Sequence, residues 1–322
     1  LDKGQIKISL IIVNLNTGNV LLESVESLYR VENIDSSFEI IIVDQNSSDN
    51  SKDVILSLSS KYANIKYIFN DRLMSFSYAN NIGFSHSNGE YVLIMNPDII
   101  FVEPVINKMI KVLDDNHSIG AVCPLLLGKD RVFQHEYFRK YPTLSQFIFF
   151  YMIFSKPFYY SAWMRRKFFE IAPDISSGAL EYVTQIPCAF FFTKREVFLN
   201  SGKMDENYVL FYEDVDLCYQ VNKKYKLILD TSARIIHYGG SSFATEDNWW
   251  LHGRFLISMH YFFDKNYGFF KSLILKVISV LNSTYIVVWE YFKSLFGKRN
   301  DYRLLKHTSY LKEFKNVYLK NQ

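Results

Sequence analysis

The sequence predicts an α/β protein built on a mostly parallel sheet flanked by helices, with a helical C-terminal extension. Three observations carry this expectation. Short continuous runs of β-branched residues recur, too apolar to be half-exposed strands and too short to be buried helices. Segments of helical character separate them at the spacing of strand-helix-strand units. Each run also stops abruptly at Asn or Asp, the residues that cap turns and, in open α/β sheets, line the ligand crevice at the carboxyl ends of strands.

Taken in order, Ile8 to Val13 is the first such strand, halted by Asn14, Asn16, Thr17 and Gly18, and Val20 to Tyr29 suits a helix. Glu39 to Val43 is the second strand, ending at Asp44, followed by a Ser/Asn-rich turn and a helix through Leu58. Ile65 to Phe69 forms a third strand, Tyr78 to His86 a helix, and Tyr91 to Met95 a fourth strand leading into Asn96-Pro97-Asp98. Farther on, Val183 to Thr193 reads as a strand, Asp214 to Lys223 as a helix, and Leu227 to His237 as a strand running into a Gly-Gly turn. Between these halves, Phe133 to Ile171 is crowded with aromatics and bases, and Lys156-Pro157 breaks it before it could span a bilayer.

Bulk properties narrow the class. In 322 residues, 49% hydrophobic and 21% charged composition supports a well-buried globular core. Its three cysteines, Cys123, Cys188 and Cys218, form no C-x-x-C pair, so neither a disulfide framework nor a structural zinc site is indicated. No long apolar N-terminal stretch precedes a small-residue cleavage site, and a reducing cytoplasm is the expected compartment. The formal charge of +3 conceals an asymmetry: from Lys265 onward eleven Lys/Arg face three Asp/Glu, a balance of +8 that leaves −5 for the rest.

The basic tail is also apolar. Its longest charge-free piece, Val277 to Trp289, falls short of the roughly 20 residues of a transmembrane helix, so the expected element is an amphipathic helix lying on anionic lipid. A helix packed on the core or in a homodimer contact is the plain alternative. Apolar side chains interleaved with the bases favour lipid over nucleic acid. The expected division is a catalytic domain at 1–262, with a nucleotide half at about 1–100 and an acceptor half at about 101–262, and a basic helical region at 263–322.

The densest chemical signal is Tyr212-Glu213-Asp214-Val215-Asp216-Leu217-Cys218, with three carboxylates in four residues. Together with Asp98 it suggests a metal-binding Asp and a separate carboxylate base, equipment for moving a group off a diphosphate. Neither G-x-G-x-x-G after the first strand nor G-x-x-x-x-G-K-[ST] occurs, so phosphates would need a cation.

In order, the segments Ile12-Val13-Asn14-Leu15-Asn16, Val43-Asp44-Gln45-Asn46-Ser47-Ser48-Asp49, Asn80-Asn81-Ile82-Gly83, Met95-Asn96-Pro97-Asp98, Gly202-Lys203-Met204-Asp205-Glu206, Phe211 to Cys218 and Ile236-His237-Tyr238-Gly239-Gly240-Ser241-Ser242 resemble glycosyltransferase family 2. The resemblance runs from about Ile8 to about Phe243 and lies closest to the rhamnosyltransferase-like branch of these inverting enzymes. It departs at Ser75 before Phe76, at Cys188-Ala189 and at Met204, none of which removes a charge. What it implies is a GT-A fold and an inverting transfer from a nucleoside-diphosphate sugar, with dTDP-β-L-rhamnose the branch's donor and a UDP-sugar the alternative.

Residue by residue, the resemblance makes Asp98 the ligand of Mg2+ or Mn2+, with Asn96 at the first position of the usual Asp-x-Asp. It makes Asp214 the base, with Glu213 its rival. Asp44 is expected to accept from the pyrimidine N3–H, with Asn14, Asn16, Asn81, Gly83 and Asn96 also on the nucleotide side. Asp71 would touch the base or ribose, or else be a solvated turn residue. His237 would complete the metal shell or meet the diphosphate, against a plain structural role. Arg139, Cys188 and Asp216 fall on the acceptor side, although Asp216 would equally orient its helix and Arg139 pair with a surface carboxylate. The implied acceptor is a lipid-linked saccharide at the inner face of the plasma membrane. A nucleotidyltransferase would carry a Gly-rich basic loop where Asn14 to Val20 has only Gly18, and a non-catalytic carbohydrate-binding module is the remaining rival.

Overall fold

The computed structural model describes residues 7–34, 37–151, 173–239 and 248–319. The aromatic and basic stretch beyond Tyr151 and the segment Gly240-Ser241-Ser242 lie outside the described residues. The chain divides into two compact units, one drawing on Leu1–Tyr141, Glu170–Glu206 and Glu213–Ser242, the other on Pro142–Phe169, Asn207–Tyr212 and Phe243–Gln322. The boundary expected at 262/263 falls inside a helix that belongs wholly to the second unit.

The first unit is the α/β body. Among the described residues its sheet has nine strands: β1 (Ile8–Asn14), β2 (Phe38–Asp44), β3 (Ile65–Phe69), β4 (Tyr91–Met95), β5 (Ile99–Phe101), β6 (Ile119–Leu127), β7 (Leu180–Val183), β8 (Phe190–Lys194) and β9 (Lys226–His237). The spatial order is β3-β2-β1-β4-β8-β6-β9-β5, with β7 also on β9. From β3 to β4 all neighbours are parallel, as the strand-helix alternation requires. Beyond β4 the sheet is mixed, with β8 antiparallel to β4 and β6, and β5 and β7 antiparallel to β9.

The continuous β-branched runs are buried because helices cover the sheet. Helix α1 (Gly18–Val31) buries Leu21, Val25 and Leu28, and α2 (Ser51–Lys61) buries Ile55 and Leu58, both at helical spacing. Helix α3 (Phe76–Ser85) begins at Ser75, whose side chain accepts from Tyr78 N–H at 3.2 Å. Gly83 of α3 meets the sheet directly: a Cβ there would lie 2.6 Å from Ile11 Cγ2 and 3.2 Å from Val43 Cγ2. Helix α4 (Ile106–Asp115) packs on β6.

One expected strand is two. The run from Val183 to Thr193 is interrupted by Pro187, and the residues on either side pair differently, β7 with β9 and β8 with β4 and β6. Proline removes a ladder donor, and with Thr184 and Gln185 before it the segment between the two strands cannot continue either ladder.

Register sets where function gathers. Asn14 pairs with Asp44 across β1 and β2, so both strands end flush, and Ile99 of β5 pairs with His237 of β9, which brings a residue from late in the chain beside Asp98.

The second unit is helical: α5 (Leu144–Tyr151), α8 (Leu251–Tyr267), α9 (Phe269–Ser294) and α10 (Asp301–Tyr318). The two helices between these in the chain, α6 (Arg195–Asn200) and α7 (Glu213–Val221), belong to the first unit. Gly268, at φ +84°, turns the chain between α8 and α9, a conformation that glycine adopts without strain. Asn300 caps α10 by accepting from Arg303 N–H at 2.9 Å. By length and composition α9, at 26 residues, is long and apolar enough to cross a membrane. The charge-free piece alone understated it, because Lys271, Lys276 and Lys293 lie near the ends of one continuous helix.

Candidate active site

Three polar clusters form in the first unit, two at the carboxyl ends of its strands and one at the start of a helix. The first surrounds Asp44. Its Oδ1 accepts from Asn14 Nδ2 at 2.7 Å and from Ser47 Oγ at 2.6 Å, and its Oδ2 accepts from Ser47 N–H at 2.9 Å. Thr17 Oγ1 donates to Asn14 Oδ1 at 2.7 Å and so fixes the amide flip that points Nδ2 at the carboxylate. Asn16, at φ +52°, reaches back to the same loop, where its side chain accepts from Ser48 N–H at 2.7 Å. The β1 and β2 loops are therefore knitted into one rigid wall around a buried carboxylate. Gln45 adds a second brace: its Oε1 accepts from Asn70 Nδ2 at 2.9 Å and Met74 N–H at 3.2 Å, tying the loop after β3 to the same wall.

The second cluster is Asn96, Asp98 and His237. Asp98 is buried; its Oδ2 accepts from Gly239 N–H at 3.0 Å, and its Oδ1 lies 3.4 Å from His237 Nε2. Asn96 Nδ2 stands 3.4 Å from the same ring nitrogen. Gln134 decides how the imidazole presents itself. Its Nε2 donates to the His237 backbone carbonyl at 3.0 Å, so its Oε1 is the atom 2.9 Å from His237 Nδ1. An amide oxygen there only accepts, which places a proton on Nδ1 and leaves Nε2 as the nitrogen that faces Asp98. An Nδ1–H held by an outer partner is the arrangement that lets the other ring nitrogen of a histidine bind a metal. The residues present thus fit a divalent cation with one carboxylate and one imidazole. Among the described residues no group of three His, Cys, Asp or Glu side chains gathers, so phosphate oxygens and water would have to fill the other positions.

The third cluster begins α7. Phe211 and Tyr212 both adopt left-handed φ, +68° and +67°, immediately before Glu213, a strained approach of the kind found at working sites. Glu213 is buried with its Oε2 lacking a hydrogen-bond partner among the described residues. Burial, reinforced by the neighbouring Asp214 charge, pushes its carboxyl up to about 8. Burial also raises Asp214, against the Val215 N–H that bonds it at 2.8 Å and the nearby Arg139 charge. Burial thus raises both adjacent carboxyls, and Glu213 carries in addition the charge of its neighbour. Tyr137 joins the clusters electrostatically, since its hydroxyl is raised by burial and then by the charges of Glu136, Asp98 and Asp214.

The other expected site residues take different places. Asp71 is exposed in the loop after β3. Asn81 is spent as a brace, with its Nδ2 donating to Met204 O and Glu206 Oε1, both at 2.8 Å, and its Oδ1 accepting from Met204 N–H at 3.2 Å. Gly83 serves helix-to-sheet packing. For these two the geometry supplies a structural reason in place of a nucleotide contact. Arg139 is exposed and donates from Nε to Glu136 O at 2.8 Å, Asp216 is buried and accepts from Gln220 Nε2 at 3.1 Å, and Cys188 is buried with its thiol pushed up by burial and then by Asp214. Sequence reasoning missed Ser47, Gln45, Gln134 and Tyr137. The Asp44-x-x-Ser47 spacing of a side-chain-capped turn would have found Ser47. Gln134 has no local signal, because its partner is 103 positions away.

A model of the family described as glycosyl transferase family 2 matches residues 9–174, just over half of the chain. The chain belongs to glycosyl transferase family 2. Rhamnosyltransferase WbbL of Escherichia coli is 24% identical over 204 residues, which cover 58% of this chain and 67% of that one. An uncharacterized glycosyltransferase of Nostoc sp. is 32% identical over 117 residues, 36% of this chain and 35% of the relative's length. The chain thus spans about a third of that relative, and about a third of glycosyltransferase GlyG of Streptococcus pneumoniae. Two solved structures share the architecture. Mannosyltransferase PcManGT from Pyrobaculum calidifontis, in complex with GDP-Man and Mn2+, superposes with a TM-score of 0.56 at 12% identity, covering 98% of this chain and 88% of that one. GalNAc-T7 with UDP, GalNAc and Mn2+ gives 0.57 at 14% identity, covering 98% and 57%. The fold is of the GT-A kind, as the order of motifs implied. The first two clusters stand at the carboxyl ends of strands, where the α/β crevice rule places a ligand.

Proposed function

We propose that this family 2 protein is an inverting, divalent-cation-dependent glycosyltransferase that moves L-rhamnose from dTDP-β-L-rhamnose to a hydroxyl of a lipid-linked polysaccharide precursor at the cytoplasmic membrane face. The observation that carries the reading is a rigid carboxylate pocket and an Asp-His pair at the carboxyl ends of the strands, together with a buried carboxyl pair whose Asp214 acts, like Asp98, on Tyr137. The name of the Escherichia coli relative supports rhamnose, and the ligands in the two structural neighbours' titles support a nucleotide donor with Mn2+.

In this reading Asp44, held by Asn14 and Ser47, receives the base, and Asp98 and His237 hold the cation. That cation, when bound, would offset charge on the departing diphosphate. Asp214 takes the proton of the acceptor hydroxyl as its oxygen attacks the anomeric carbon. The new C–O bond forms as the bond to the diphosphate breaks on the opposite face, giving an α-linked sugar, free dTDP and a proton on Asp214. Glu213, protonated, keeps a second negative charge away from the approaching hydroxyl.

Calorimetric titration with dTDP and with UDP, each with and without Mn2+ or Mg2+, tests this. Metal-dependent preference for dTDP is the expected result. Preference for UDP would replace the sugar and keep the chemistry, and binding of neither would overturn the reading in favour of a non-catalytic carbohydrate-binding module.

A further inference from the structure

In the second unit α9 wears its polarity reversed. A helix of a water-soluble protein buries its apolar side and exposes its polar one. Here the side turned inward carries Ser272, Ser279, Ser283 and Glu290, each 0% exposed, with Leu275 and Ile286 between them. Their partners are polar as well: Ser279 Oγ lies 3.2 Å from His260 Nε2, Ser283 Oγ 3.1 Å from His307 Nδ1, and Glu290 pairs with Lys293 at 2.6 Å and Arg303 at 3.5 Å. The side turned outward is apolar at three- and four-residue steps: Phe270, Ile274, Val277, Leu281, Tyr285, Val288 and Phe292, from 44% to 78% exposed. None of the four charged residues of α9 falls on that line. An exposed apolar stripe of this length marks an interaction surface.

Inward small and polar residues with outward large apolar ones is the arrangement of helices whose solvent is hydrocarbon. The ends agree. Lys271 and Lys276 stand near one end, Lys293, Lys298 and Arg299 near the other, and Trp289, Tyr291 and Phe296 cluster toward the second, the aromatic and basic dressing of a lipid headgroup layer. At about 1.5 Å per residue α9 could cross a bilayer core of about 30 Å. Its neighbour forbids that orientation. Helix α10 packs along α9 and carries Arg303, Lys306, Lys312 and Lys315, which a crossing would drag through the hydrocarbon.

We infer that α9 lies in the plane of one leaflet of an anionic membrane, its Phe270 to Phe292 face sunk among acyl chains and its flanking lysines at the headgroups. The inference rests on the proposed reading for its purpose, access to a lipid-linked acceptor, and on α9 alone for its chemistry.

Flotation of the full chain with phosphatidylcholine vesicles, and with vesicles of phosphatidylcholine and phosphatidylglycerol, tests it. The expected result is capture by the anionic vesicles that persists in about 1 M NaCl, where the Debye length is about 3 Å and purely electrostatic adhesion fails. Leu281→Asp, at an exposed position, should lower partitioning by about a hundredfold with unchanged circular dichroism and nucleotide titration. Recovery in the lipid-free fraction with both vesicles, or complete release by salt, would overturn the inference. So would a lipid-free dimer that Leu281→Asp splits, since a second copy would then cover the face. Vesicle capture without nucleotide binding would break the transfer reading and leave α9 in its leaflet.

Discussion

The two units of this chain bury polar groups for opposite ends. In the sheet unit they collect at one edge, where Asp44, Asp98 and His237 are oriented by Asn14, Ser47 and Gln134 while the apolar strands fill the interior. In the helical unit α8 buries Leu256, Phe262 and Phe263, but α9 turns Ser272, Ser279, Ser283 and Glu290 inward beside buried histidines and faces most of its large apolar side chains outward. Buried polarity therefore carries no single meaning. A directed edge cluster is equipment for a ligand, and an inward polar stripe opposite an apolar face speaks of the medium outside.

Several substitutions would break or sharpen this contrast, the largest effect lying at the edge clusters. Asp214→Asn should lower kcat by about 10²–10⁴ with folding and nucleotide binding intact, measured in a transfer assay beside calorimetry. Because burial raises the Asp214 carboxyl, transfer should fall on acidification at a higher pH than an ordinary aspartate would give, a limb that the Asn variant abolishes. Gln134→Leu should weaken Mn2+ binding by about 10–100-fold, read by the metal's own paramagnetic signal, and Gln134→Glu should restore most of it by keeping an acceptor on Nδ1.

Stability should separate the units next. Ile42→Ala, in the buried sheet, should cost about 2–5 kcal/mol in chemical denaturation, whereas Leu281→Ala, on the exposed side of α9, should stay within about 0.5 kcal/mol in lipid-free buffer. Equal losses at the two sites would mean that α9 is covered in water.

Acid gives the cleanest sign. Burial holds His260 down to about 3 and, with the charges of Lys306 and Arg303, His307 down to about 4, so their stabilising contribution is whole above the unfolded value near 6.5 and is lost as pH falls toward those folded values. At pH 5 each would have given up about 2 kcal/mol. In the sheet, burial raises Glu39, but bonds from Lys66, Ser9 and Asn88 outweigh it and hold its carboxyl low, so its contribution persists until pH drops below about 4.5. Hydrogen exchange followed unit by unit from pH 7 to pH 4 should show the helices loosening first.

Much of the sheet half was legible because its information is local. Ile8 to Val13 is a strand in any context that covers both faces, Ile65 to Phe69 serves as the half-exposed strand at the end of the sheet order, and Asn14, Asp44 and Asp98 announce strand ends by chemistry. Legibility failed where the cause lies far along the chain. Strand β5, three residues long, exists because β9 is beside it, and the stretch from Val183 to Thr193 divides because its two ends pair with different strands. Asn81 shows the same limit at the site. Its motif points to a nucleotide, while its amide is consumed by a loop more than 120 positions away. The reversed polarity of α9 was hidden for a simpler reason: a period of 3.6 reveals two faces and is silent on which one is inside.

The pairing of Ile99 with His237 has a consequence in time. A nascent chain that has emerged through β4 already carries Asp44, Asn14 and Ser47, yet nothing that orients an imidazole toward Asp98. Only when β9 is synthesised and docks, well over a hundred residues later, does the histidine proposed to share a cation with Asp98 arrive. Premature chains would be able to grip a nucleotide base loosely and would lack the pair proposed to hold the cation, so truncated products of translation would be chemically silent bystanders instead of rogue transferases.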